Sequence, residues 1–173
     1  MAINRQSGRV MSLVAVALVA GGVVAFVATG SRGRSEPEDR AQVVVPAGSL
    51  AEEARKASAL AGFDVVAPVL PVGFELTGMK VDAPEHGPVH EVSMAFKGPF
   101  PISITQSSAP VAVTDAETLV SPVVGATLVR ARSDFGFTGY TLTTKTRSYE
   151  LLVETKFGMD EGEAAKILAS MVR

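Results

Sequence analysis

The apolar positions of this chain follow three successive patterns. The first is an almost unbroken run, VMSLVAVALVAGGVVAFVAT, from Val10 to Thr29, with only Ser12 and Thr29 polar. At 1.5 Å per helical residue it reaches roughly 30 Å, the thickness of a bilayer core. This predicts a transmembrane helix over 10–29 rather than a buried core helix. Arg5 and Arg9 precede it, as they would in a secretory signal peptide. Signal peptides have shorter apolar regions, however, and Ala28-Thr29-Gly30 is a poor cleavage site, so an uncleaved anchor is expected.

The second pattern has the helical period. Ser49 followed by Glu52 is a capping box, in which the serine oxygen takes the Glu52 amide. It opens a helix to about Ala61 with Leu50, Ala54, Ala57 and Leu60 on the inner face and a Glu52–Lys56 pair outside. Gly62 stops it. A second box, Asp160 with Glu163, opens a terminal helix with Ala164, Ile167, Leu168 and Met171 inward.

The third pattern alternates. Phe74 and Leu76, then Met79 and Val81 in shifted phase, mark a strand with a bulge at Gly78. Val92, Met94 and Phe96 mark another, and Ile102 and Ile104 a third, with a turn at Lys97–Phe100. Three more are marked by Leu128, by Tyr140 and Leu142, and by Tyr149, Leu151 and Val153. Turns are expected at Asp134–Gly136 and Thr146–Ser148, and Thr114-Asp115-Ala116-Glu117 is expected to open a short helix.

Strands that run together between two helices predict an α+β fold. The expected architecture is an N-terminal transmembrane helix, then a curved antiparallel sheet meander flanked by an N-terminal and a C-terminal helix on one face. The expected segments are a cytoplasmic tail 1–9, the span 10–29, a linker 30–42 and an extracytoplasmic domain 43–173. The linker (from Ser31, SRGRSEPEDRAQ) is polar and too charged to enter a bilayer.

Within the domain, Pro68-Val69-Leu70-Pro71 has the form of a P-x-x-P ligand, but no Lys or Arg lies between Lys56 and Lys80 to support such docking. The expectation is a rigid corner, with Leu70-Pro71-Val72-Gly73 as a type I turn.

Composition removes several function classes. The 173 residues contain no cysteine, which excludes disulfides, thiolate metal sites, a cysteine nucleophile and a lipidated cysteine. From residue 41 onward 11 Lys and Arg face 15 Asp and Glu, so the basic footprint of a nucleic-acid binder is missing. Arg32, Arg34 and Arg40 after the span nearly balance Arg5 and Arg9 before it, and flanking charge alone leaves orientation open.

Candidate chemistry is sparse. His86 and His90 are the only histidines, with Asp82, Glu85 and Glu91 nearby. Pro84, Gly87 and Pro88 exclude a helix that would align them, so a solvated hairpin tip without metal is expected. Glu150 and Glu154 lie on the strand face opposite the apolar set, where carboxylates are ordinarily just solvated. No serine-hydrolase, zinc-protease or phosphate-loop motif is present. No catalytic, cofactor-binding or metal residue is expected. Ala17, Gly21 and Ala25 form a small-residue stripe in the span that suits a weak homodimer.

The arginine-bearing tail, the single span and FDVVAPVLPVGFEL together resemble an actinobacterial family of membrane-anchored domains of unknown function. VSMAFKGPFPISITQSS, closing on Gln106-Ser107-Ser108, resembles that family's hairpin, and EAAKILASM its terminal helix. The Leu-Pro-x-Gly-aromatic start and closing helix are also similar to sporulation-associated and lipoprotein-sorting-like extracytoplasmic domains. The resemblance implies a cytoplasmic N-terminus, and supplies no catalytic residues. This chain departs from it in lacking tryptophan and over Ala109–Gly125.

The expected protein is therefore a non-enzymatic, single-pass protein of the cell membrane. It contacts the bilayer through residues 10–29 and carries its domain outside. That domain would bind, sense or assist another envelope protein; the alternative is a carrier whose sheet and helix enclose a lipid or other hydrophobic ligand.

Overall fold

The computed structural model describes residues 49–83 and 89–173. The expected anchor 10–29 with Ala17, Gly21 and Ala25, the linker, and His86 lie outside the described residues. Among the described residues no helix is long and apolar enough to cross a membrane.

Seven antiparallel strands form one open sheet: β1 (Glu75–Asp82), β2 (Glu91–Lys97), β3 (Ile102–Ser107), β4 (Glu117–Leu119), β5 (Thr127–Arg132), β6 (Phe137–Thr143) and β7 (Ser148–Glu154). Their order is β1-β2-β3-β7-β6-β5-β4. Two meanders, β1 to β3 and β4 to β7, therefore meet along the β3–β7 pair. Alternation sends one set of side chains to a common face. The partners Met79, Met94, Ile104, Leu151 and Tyr140 form one row across five strands of that face. The register shift between Leu76 and Gly78 keeps Leu76 and Met79 on it together, as expected of a bulge.

Helix α1 (Leu50–Ala61) packs on β1 and β2, and α2 (Glu161–Ala169) on β6 and β7. Both cover the apolar face, and the buried residues of sheet and helices form one core. Ser49 accepts the Glu52 amide at 3.3 Å, and Asp160 accepts the Gly162 and Glu163 amides. Each cap stabilises its helix by about 1 kcal/mol. Ala164, Ile167, Leu168 and Met171 are buried, as their spacing predicts.

Two helix expectations fail. The inner stripe of α1 is Ala54, Ala57 and Ala61 with Glu53, while Leu60 is 55% exposed. The three small residues let the helix sit close to the sheet, and that closeness turns Leu60 outward despite its greater hydrophobicity. Glu53 is 1% exposed, with one oxygen on Lys56 Nζ at 2.9 Å and Oε2 without a partner among the described residues. The expected helix from Thr114 to Glu117 is also absent. Asp115 has φ 55°, which interrupts a right-handed helix, and Glu117 begins edge strand β4.

Between α1 and β1 the chain crosses extended. Val65 and Val66 are buried in the common core, and Pro68 is buried too. Ser58 Oγ accepts the Val65 amide at 2.8 Å. The Gln106 side chain accepts from Val66 N at 3.0 Å and donates to Val66 O at 2.6 Å. Val69 N donates to Ser170 Oγ at the end of α2. The P-x-x-P stretch is thus the end of a pinned crossover. Its turn is centred on Val72 and Gly73, with Gly73 at φ 101°. The glycine occupies a third position that needs positive φ, as in a type II turn, rather than the fourth position of a type I turn. Phe74 follows, stacking edge-on to Phe100 at 5.5 Å.

Candidate functional site

The β6–β7 turn positions the most distinctive cluster of side chains. Thr144 Oγ1 accepts the amides of Thr146 and Arg147 and donates to Arg147 O, closing Thr144–Arg147 into a fixed turn. Ser148, expected in the turn, already belongs to β7. Lys145 stands exposed at the tip. Arg147 points back across the crossover: its guanidinium donates to Asp64 O at 2.6 Å and lies 5.5 Å from the Phe63 ring centre. Asp64 in turn holds Arg173 at 3.3 Å.

These residues rim a cleft of about 640 Å³, within the size range of small-molecule sites. Val66, Tyr149 and Met171 are its buried members, and Val123–Ala126 of the β4–β5 loop form a wall. Ser121 ties that loop, accepting from Val123 N and donating to Val123 O. Val124 at the tip is fully exposed.

Asp64 and Arg173 in the cleft lining pair with each other. Lys145 and Arg147 pair with no carboxylate among the described residues. Tyr149 is 4% exposed, and its hydroxyl makes no hydrogen bond to the described residues but still reaches solvent, since Glu53 Oε2 is the one buried side-chain oxygen among them without a partner. Two cations without an ion pair, an Asp64–Arg173 pair, a phenol and several apolar side chains therefore line one space.

A second cleft, about 380 Å³, lies where α2 begins. Arg132 in its lining has no ion pair among the described residues, but its other principal groups are matched. Arg130 bridges Glu117 and Glu161, and Tyr140 Oη donates to Met159 O at 3.1 Å. Burial raises the Tyr140 pKa, outweighing the nearby Arg130.

The helix-free sheet face carries Glu150 and Glu154. Glu150 sits in a row of small polar residues, with Thr105 and Thr141 as its strand partners and Ser93 bonded to Thr105 at 3.0 Å. Its pKa is raised, first by burial and then by Glu91. It is thus less freely solvated than its alternation pattern suggests. Glu154 pairs with Lys156.

His90 also departs from expectation. It is half-buried, and its Nδ1 meets Ala61 O at 2.5 Å, where it donates to the C-terminal end of α1. No cluster among the described residues could hold a metal ion.

Sequence reasoning did not find the cleft. Arg147 reads as a turn residue and Tyr149 as one more apolar strand position. Only the long-range crossover brings them beside Asp64 and Met171.

Together these features define an α+β domain whose sheet is helix-covered on one face and notched by a cation-rimmed cleft at one end. The chain belongs to a family described as Protein of unknown function (DUF4245), whose model matches residues 4–154. No curated protein and no solved structure matches it.

Proposed function

We propose that this protein is a non-catalytic binding module of the cell envelope. Residues 10–29 anchor it in the membrane with residues 1–9 inside. Residues 43–173 stand outside and take a ligand or partner in the cleft between Lys145, Arg147 and Tyr149. The observation that carries the reading is that, among the described residues, Lys145 and Arg147 pair with no carboxylate and the Tyr149 hydroxyl makes no hydrogen bond. The non-catalytic part is supported by the helix-free face, where Ser93, Thr105 and Glu150 have no histidine beside them among the described residues. The anchor is supported by the uncharged run Val10–Thr29.

The carrier alternative changes form. Ile167, Leu168 and Met171 fill the space over the sheet, so a hydrophobic ligand would be taken at the rim and not enclosed beneath the helices.

The test of anchoring and orientation is direct. The full chain should sediment with membranes and resist a high-salt wash. In intact cells stripped of their wall, added protease should digest the domain. Protection until lysis would reverse the orientation, and release by salt would remove the anchor.

A further inference from the structure

We propose that the cleft takes a single-chain anionic amphiphile: an acid head on Lys145, Arg147 and Tyr149, with its chain on the apolar floor. This deepens the binding-module reading and rests on it. Three observations lead there. First, Lys145 and Arg147 lie two residues apart on one fixed turn, so their cationic groups reach the same mouth without ordering cost at the backbone. Arg147 is held by Asp64 O and the Phe63 ring, but neither neutralises it. A guanidinium fixed by a neutral carbonyl keeps its charge and its remaining donors for an anion. Second, the Tyr149 ring is buried beside them while its hydroxyl, unbonded to the described residues, reaches solvent. A phenol O–H placed there can donate to an oxyanion. Third, part of the lining is apolar, Val66 and Met171 with Val123 and Ala126, while the Asp64 carboxylate in the same lining is paired with Arg173.

The charge argues against the other occupants. A purely apolar ligand would leave the cationic mouth and the phenol without partners, which costs affinity when they are desolvated. A free inorganic anion would leave the apolar floor uncovered. A chain with an acid head uses both. Carboxylate and phosphate heads share this chemistry, and the experiment below compares them.

The probe is a long-chain fatty acid bearing a diazirine on its chain. The protein is the full chain in phosphatidylcholine nanodiscs, and labelled peptides are located by mass spectrometry after irradiation. Saturable labelling is expected on the peptides containing Val123–Ala126 and Met171–Arg173. An alkyl phosphate should compete, and the methyl ester of the fatty acid should not. Lys145→Glu should weaken apparent binding about tenfold or more, the size of one lost charge-assisted contact. Arg147 also supports the crossover, so Tyr149→Phe serves as the second variant: it keeps the ring and removes only the hydroxyl. Weaker labelling in both variants supports the site. Equal competition by the ester, labelling unchanged in both variants, or labelling confined to residues 10–29 overturns it. A chain that stays in solution without nanodiscs defeats the anchor reading but is labelled in buffer just as well, so the two failures are separable.

Discussion

The side-chain amide of Gln106 pairs with both the N–H and the C=O of Val66, at 3.0 and 2.6 Å, forty residues away in the chain. It substitutes for a strand partner. The crossover carries peptide groups over an apolar face, where unpaired ones would be costly.

Gln106→Leu should therefore destabilise the domain more than its added hydrophobicity would suggest. It leaves a buried donor and a buried acceptor at Val66, each costing about 1–3 kcal/mol. Urea unfolding followed by circular dichroism would check this. An unchanged midpoint would mean that the crossover finds other partners.

Ile167→Ala tests the filled core. Ile167 is buried between α2 and the sheet, and such a truncation costs about 2–5 kcal/mol. Truncating the chain after Gly158 should go further and abolish cooperative unfolding. A truncated chain with a sharp thermal transition would show that α2 is dispensable.

Gly98 lies beneath the Phe74 ring. A Cβ there would meet Phe74 Cδ1 at 2.7 Å and Gly73 O at 3.0 Å. Gly98→Ala should cost about 1–3 kcal/mol, and Phe74→Leu in the same chain should recover part of that loss. A double-mutant cycle measures the coupling; simple additivity would contradict the contact.

Glu150→Gln should raise thermal stability at neutral pH and leave it unchanged in acid. Its folded-state pKa is raised by burial and by Glu91, so the folded state binds its proton more tightly than the unfolded state. Stability is therefore lost as pH rises from the ordinary carboxylate value through the raised one. Melting curves of both proteins across that window would converge at low pH and separate above it. Parallel curves would show that Glu150 is not the titrating group.

Local rules made much of this fold legible. Asp160 caps α2 because a short acceptor precedes an apolar helical period, and both signals lie within twelve residues. The bulge at Gly78 shows as a phase slip between Leu76 and Met79. Leu60 misled because a stripe was inferred from hydrophobicity, whereas close approach favoured Ala54, Ala57 and Ala61. Thr114–Glu117 misled because a capping pattern cannot register the positive φ at Asp115. The cleft was hidden for a different reason. Asp64, Val124, Arg147 and Met171 come from four separate segments, and no sequence period links them.

The joint between the two meanders has a topological consequence. Residues 49–108 hold α1 and β1 to β3, residues 117–173 hold β4 to β7 and α2, and each helix packs on strands of its own half. The halves zip together along β3–β7, reinforced by the Val69–Ser170 and Arg147–Asp64 bonds. The described domain is in effect two contiguous pieces that meet at one strand seam and share one core. Cutting the chain between Ser108 and Glu117 leaves every other strand pairing within a single fragment. The domain is thus a natural split protein, whose two fragments should reassemble from separate chains, and the cleft, which draws on both, should exist only after they meet.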